Sequence, residues 1–254
     1  PIYVGIKNIY TEAYKLCIDN DELDKYLMTF QNFLSRIPKW NKDIIVKVLK
    51  ELGADVIILG RSDEFIPVDT ESIRREDVEF ALKWSEEYNL DLIVSTDGDS
   101  DRPLISDENG KWIRGDIIGI LVSDYLNADS VSTPITSNTA LEIANKGKNI
   151  FRTKIGSPFV IESMIKSSKN YSRVVGFEAN GGFLTGSDFV INNQKLASLP
   201  TRDALLPIIV VIELSKKNRS SISKLVNSIP KRFTISDRIQ NYSASKSRHL
   251  LTKY

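Results

Sequence analysis

Three aspartates at alternate positions, Asp97, Asp99 and Asp101, offer the first chemistry in this chain. They sit in Ser95-Thr96-Asp97-Gly98-Asp99-Ser100-Asp101-Arg102-Pro103, directly after the apolar run Leu90 to Ser95. That run reads as a buried strand, and loops at the carboxyl ends of strands are where open α/β sheets bind ligands. Gly98 removes side-chain bulk where the loop must curl. Two like charges about 4 Å apart repel by roughly 4 kcal/mol at an effective dielectric of about 20. Three converged pairs would therefore cost on the order of 12 kcal/mol without a cation. A hard divalent ion held by oxygens offsets that cost, and magnesium is the ion expected. Arg102 can present its planar fork to a phosphate oxygen; its plainer role is to neutralise Asp101.

Other arrangements share parts of this pattern. One is a solvated acidic turn with its carboxylates splayed apart. An EF-hand loop would put Glu108 in its twelfth position counted from Asp97. But Arg102 stands where that loop needs glycine, and a strand precedes where a helix should. Haloacid-dehalogenase-type phosphatases also place Asp-x-Asp after a strand. Here the pair lies far from the amino terminus, and no downstream paired-aspartate motif accompanies it.

A second loop reads Val174-Val175-Gly176-Phe177-Glu178-Ala179-Asn180-Gly181-Gly182. Asn180-Gly181 between apolar runs is a hairpin turn, since both residues suit positive φ. A carboxylate and an amide at the tip can also bond vicinal sugar hydroxyls. Gly181 and Gly182 let a ligand approach the backbone.

The elements that must carry these loops alternate. Asp21 to Leu34 has helical spacing, capped by Asp21 or Asn20 and ended by Ile37-Pro38. Ile44, Ile45, Val48, Leu49 and Leu52 form an amphipathic helix closed by Gly53. Asp55 to Leu59 is a short buried strand. Asp77 to Tyr88 is a helix with Val78, Ala81, Leu82 and Trp84 inward. Asp116 to Leu126 is a helix. Strands are expected at Ser130 to Thr133, Asn149 to Thr153 and Arg173 to Phe177. Helices are expected at Ser137 to Lys146, Pro158 to Ser167 and from Thr201 through Leu214. Gly182 to Ile191 reads as a hairpin partner. The fold class is α/β: two similar domains, each a mixed sheet with flanking helices, meeting near Ala128.

Composition narrows the options. The chain has 254 residues, 41% hydrophobic and 26% charged, which suits two globular domains. Net charge of +1 draws it toward no polyanion, so no nucleic acid is expected; the basic stretch from Lys216 reads as a solvated face. No run approaches the roughly 20 apolar residues of a membrane span. Cys17 and His249 are the only residues of their kinds, which rules out a Cys/His zinc site and a disulfide framework. No leader is evident, and the cytoplasm is the default expectation. The first residue is Pro1, which suggests a fragment.

The run Asp97-Gly98-Asp99-Ser100-Asp101-Arg102 resembles the metal loop of the alpha-D-phosphohexomutases, the family of phosphomannomutase and phosphoglucomutase. Phe177-Glu178-Ala179-Asn180-Gly181-Gly182 is similar to that family's hexose-reading loop, in its bacterial phosphomannomutase-like branch. The resemblance extends from about Val46 to Asn241. It implies magnesium on Asp97, Asp99 and Asp101, and substrate contacts from Glu178, Asn180 and Gly181. It implies hexose phosphate and hexose bisphosphate as partners, and phosphoryl transfer between C1 and C6. Arg152 to Pro158 resembles a family loop at the cleft, where Lys154 can meet a phosphate, as Arg102 can, or act in proton transfer; a surface lysine is equally consistent. Leu199 to Ala204 resembles an Arg-Asp segment opening a helix, giving Arg202 to the substrate. The same residues also make a good helix start, with Thr201 as cap and Asp203 near its positive end.

The family also carries a phosphorylated serine in a Ser-His loop and a phosphate grip of Arg-x-Ser-Gly type. The sequence contains neither a Ser-His nor a Ser-Gly pair. Missing flanking domains are therefore expected. The expected division is 1–40 as a remnant of the first domain or a linker helix, 41–127 as metal-loop domain, 128–235 as sugar-loop domain, and 236–254 as linker to a fourth. A non-catalytic remnant that binds metal or sugar phosphate is the alternative, and a magnesium-dependent phosphatase a further one. Ser35 to Asn41, with Pro38, is not strand-like, so the first sheet is expected to be one strand short.

Overall fold

The computed structural model describes residues 3–7, 44–61, 66–144, 147–191, 193–239 and 242–252. The helix expected at Asp21 to Leu34 and the segment Ser35 to Asn41 lie outside them.

In chain order the first unit holds β1 (Tyr3–Lys7), α1 (Ile44–Glu51), β2 (Asp55–Leu59), α2 (Arg75–Tyr88), β3 (Leu92–Thr96), β4 (Pro103–Ser106) and β5 (Trp112–Ile113). Helix α3 (Gly115–Tyr125) leads into β6 (Ser130–Pro134), α4 (Ala140–Ile143), β7 (Asn149–Thr153), α5 (Ser157–Ser167), β8 (Val174–Phe177) and β9 (Phe183–Thr185). A small hairpin of β10 (Phe189–Ile191) and β11 (Gln194–Leu196) precedes β12 (Leu199–Asp203), α6 (Leu205–Lys217), α7 (Ile222–Asn227) and α8 (Ala244–Leu251).

Two five-stranded sheets result, ordered β2-β1-β3-β4-β5 and β12-β9-β8-β6-β7. The first sheet is thus not one strand short, because β1 lies between β2 and β3. It comes from far upstream and runs antiparallel to both neighbours, so a search for a strand just before α1 could not find it.

Alternation along the buried strands sorts side chains to two faces. Leu92, Val94 and Ile105 face a core shared with α1, α3, α6 and the second sheet, while Ile93 and Leu104 face Ala81 of α2. In the second sheet, Val175, Phe177 and Phe183 join the shared core, whereas Val174 and Leu184 pack on Val160 and Met164 of α5.

Several expectations are corrected. Strand β2 is an edge strand with only Leu59 buried. In α2 the inward residues are Asp77, Ala81 and Ser85, and Val78 and Leu82 are exposed. Arg74 clamps Asp77 with two bonds, of 2.7 and 2.6 Å, which sets that rotation. Of the helix expected at Ser137 to Lys146, the described residues form α4, which starts only at Ala140, where the Asn138 side chain accepts the Ala140 N–H at 2.8 Å. The hairpin partner of β8 ends at Thr185, and Phe189–Ile191 pairs elsewhere. Thr201 does not cap a helix: it belongs to β12, and the Asp203 carboxylate accepts the Leu205 N–H at 2.8 Å to start α6. Among the described residues no helix is long and apolar enough to cross a membrane.

Candidate functional site

Asp97 follows the carboxyl end of β3, whose residues are all buried. The loop closes on itself: the Ser100 N–H donates to the Asp97 carbonyl at 3.1 Å, and Ser100 takes φ +63°. This turn brings Asp97, Asp99 and Asp101 together, with one ligand oxygen from each lying within 4.8 Å of the others. The sequence expectation of a converged acidic cluster is met, and splayed carboxylates are excluded. Asp97 is buried and Asp99 exposed.

Two arginines meet this cluster. The Arg102 backbone N–H donates to Asp97 Oδ1 at 3.2 Å, and its Nε donates to Asp97 Oδ2. Arg102 therefore neutralises Asp97 first; its Nε stands 3.6 Å from Asp101. Arg202, from β12 of the other sheet, places Nη2 2.6 Å from Asp101 Oδ2. The other Asp101 oxygen is buried without a hydrogen-bond partner. Burial pushes the Asp97 and Asp101 carboxyls above the usual aspartate range, against the opposing pull of the arginines. An all-oxygen donor set with an unpartnered buried oxygen fits a hard divalent cation.

Glu108 is not part of this cluster. It accepts the Ser223 N–H at 3.0 Å and the Ser223 hydroxyl, which removes the EF-hand alternative.

The second loop is a tight turn. The Glu178 N–H donates to the Gly182 carbonyl at 2.9 Å, the Gly181 N–H donates to the Glu178 carbonyl at 3.1 Å, and Asn180 Oδ1 accepts the Gly182 N–H at 3.1 Å. Gly181 has φ +95° but Asn180 does not take positive φ, so only the glycine of the pair is left-handed and the turn centres on Ala179-Asn180. The Glu178 carboxylate is only 5% exposed, and its Oε2 has no partner among the described residues. Burial raises its pKa; Arg202, then Arg102, pull the other way. Both arginines therefore lie in the field of the Glu178 carboxylate as well as that of the acidic cluster.

Backbone contact fixes the two loops against each other. A Cβ at Gly115, the first residue of α3, would lie 2.0 Å from the Gly181 nitrogen, and one at Gly181 would lie 2.8 Å from the Pro103 carbonyl oxygen. Gly115 had no signal in the sequence, because its partner lies in another unit. Lys154 follows β7, which runs parallel to β6 as β8 does, so it stands at the same end of the sheet as Glu178. It is exposed, with its ammonium 5.6 Å from the Phe159 ring centroid. Among the described residues nothing joins it to the acidic cluster.

Residues 114–233 match the family model described as phosphoglucomutase/phosphomannomutase, alpha/beta/alpha domain III. Residues 1–56 match a model of a family of unknown function. A phosphomannomutase of Salmonella muenchen is 50% identical over 210 residues, covering 83% of this chain and 44% of that protein. One from Sinorhizobium fredii is 41% identical over 211 residues, again covering 83% and 44%. A phosphoglucomutase/phosphomannomutase family protein of Burkholderia thailandensis has a similar fold, with TM-score 0.51 and 16% identity over 63% of this chain and 33% of that one. The chain belongs to the phosphoglucomutase/phosphomannomutase family. It spans less than half the length of the relatives it matches.

Proposed function

We propose that this chain carries the metal loop and the hexose-reading loop of a phosphohexomutase, within residues 41–127 and 128–235 respectively. One observation carries the proposal: the three-aspartate cluster and the Glu178 loop lie against each other, with Gly181 on Pro103 and Arg202 paired to Asp101. Asp97, Asp99 and Asp101 would hold magnesium, which when bound stabilises charge on a phosphoryl group in transfer. The relatives named phosphomannomutase support that assignment.

The remaining roles belong to the chain's own groups. Glu178 accepts, and Asn180 donates, hydrogen bonds from and to vicinal hydroxyls of a hexose phosphate or bisphosphate. Arg102 and Arg202 attract its phosphate, and Arg202 can turn from Asp101 toward it. Lys154 offers a further cation at the same end of the second sheet. Phosphoryl transfer between C1 and C6 needs a phosphoserine. The sequence offers no Ser-His loop for one, so flanking domains must supply that group. The same absence favours a second reading, a binding-only remnant of the fold.

Calorimetric titration with magnesium or manganese tests the metal loop. Asp97→Asn and Asp101→Asn should each weaken binding at least tenfold. Uptake unchanged in both variants refutes the metal assignment. Conversion of mannose 1-phosphate or glucose 1-phosphate, with magnesium and a hexose bisphosphate, tests the chemistry. Turnover once flanking domains are supplied supports the mutase; metal binding without turnover supports the remnant. Release of inorganic phosphate instead marks a phosphatase.

A further inference from the structure

The two sheets can be laid on each other strand by strand. In the direction β5-β4-β3-β1-β2 the first repeats the order β12-β9-β8-β6-β7 of the second. Strand β3 pairs antiparallel with β4 as β8 does with β9. Helix α1 leads into β2 as α4 leads into β7, and α2 joins β2 to β3 as α5 joins β7 to β8. Only the strand next to the β2 or β7 edge differs. Strand β6 immediately precedes α4 and runs parallel to β7 and β8. Strand β1 reaches α1 only through residues 8–43, and it runs antiparallel to β2 and β3. A strand feeding a crossover helix would enter parallel. So β1 fills the place between β2 and β3 without being the strand that this topology delivers. The segment supplying it also lies within the match to a different family.

We propose that β2 and β3 frame a strand-accepting slot, and that Tyr3–Lys7 of the same chain is a replaceable donor strand within it. The register puts Gly5 opposite Ile57 on one side and Ile93 on the other, so the middle of the donor brings no side chain to either partner. Strand addition of this kind draws its affinity from main-chain hydrogen bonds, which any extended segment can make. Val4 and Ile6, flanking Gly5, favour the extended form. Because β3 leads straight into Asp97, occupancy of the slot steadies the backbone from which the acidic loop springs.

Hydrogen exchange on the unmodified chain tests this first. The slot should open without global unfolding, so the Val4, Gly5 and Ile6 amides should exchange at least tenfold faster than those of Val131, Ser132 and Thr133 in β6. Equal protection in the two strands overturns the proposal. In a second arm, Val4→Pro combined with Gly5→Pro removes consecutive donors from the ladder. A labelled peptide of residues 1–8 should bind that variant at least tenfold more tightly than it binds the unmodified chain, whose slot is filled. Equal binding to a folded variant and the unmodified chain also overturns it. A dimer that exchanges β1 between two copies overturns the assignment of the donor to its own chain. If the variant does not fold, the exchange comparison decides.

Discussion

Glu178 is a buried carboxyl with one oxygen unpartnered, held above the ordinary glutamate pKa by desolvation. An acid whose folded pKa is raised binds its proton more tightly folded than unfolded. Stability then falls as pH climbs from the unfolded value through the folded one. Glu178→Gln, neutral at every pH, should therefore melt higher than the unmodified chain at pH 8. A gain of roughly 2–4 °C corresponds to about 1 kcal/mol in a chain of this size. That advantage should vanish near pH 4, where both forms are neutral. Paired melting curves across this range check it, and a gap independent of pH refutes the cause given. Under the proposed function, Glu178→Gln should also lower hexose phosphate affinity, measured by calorimetry. Asp97, Asp99 and Asp101 were legible because their alternate spacing after an apolar run is a local pattern. The arginine partners were less so. Arg102 stands beside its cluster, but nothing within the Leu199 to Ala204 segment says that Arg202 reaches Asp101 from another sheet.

Among the elements, α3 shows how a helix can be shaped by what lies against it. Gly119 sits in its interior, where Ala would ordinarily stabilise by about 1 kcal/mol. Here an added Cβ would fall 2.4 Å from the Phe177 ring, which is itself 1% exposed and stacked on Phe183. Gly119→Ala should thus destabilise, by about 1–3 kcal/mol for an overpacked core. Adding Phe177→Leu should recover part of that loss, because the smaller side chain makes room. A urea-denaturation double-mutant cycle measures the coupling, and additive effects would show that the ring does not constrain the helix. The sequence carried the helix, the buried strands β3, β6 and β8, and the glycine that ends α1, because period and capping are local. It did not carry β4, β5 or β12, which are short and owe their pairing to distant partners. Nor did it carry the edge character of β2: DVIIL is apolar enough for a central strand, yet only Leu59 is buried.

At the scale of the whole molecule, the two units share one apolar core. It runs from Ile45 and Leu49 of α1 through Ile118 and Val122 of α3 to Val131, Phe177 and Val211 of the second unit. Polar contacts close the junction. Asp116, fully buried, accepts Arg114 Nε at 3.2 Å, Arg114 Nη2 at 2.9 Å and the Asn138 N–H at 2.8 Å. The segment leading to α8 lies across both units, with Thr234 bonded to Asn138 at 2.8 Å and Arg238 to Asp69 at 3.0 Å. Domains joined by a small polar interface would unfold separately, but a continuous core couples them. The chain should therefore unfold in one transition. Trp84 and Trp112 belong to the first unit and Trp40 lies outside the described residues, so in a Trp40→Phe background fluorescence reports on the first unit while far-ultraviolet circular dichroism reports on both. Their urea midpoints should coincide. Asp116→Asn takes the counter-charge from the partly buried Arg114 cation and should cost about 2–3 kcal/mol, below the figure for a fully buried pair. Both midpoints should fall together by the same amount, since the lost pair serves the shared junction. A circular dichroism midpoint that stayed put while the fluorescence midpoint moved would mean that the units fold independently, and the common core would then not be what holds the acidic loop to the Glu178 loop.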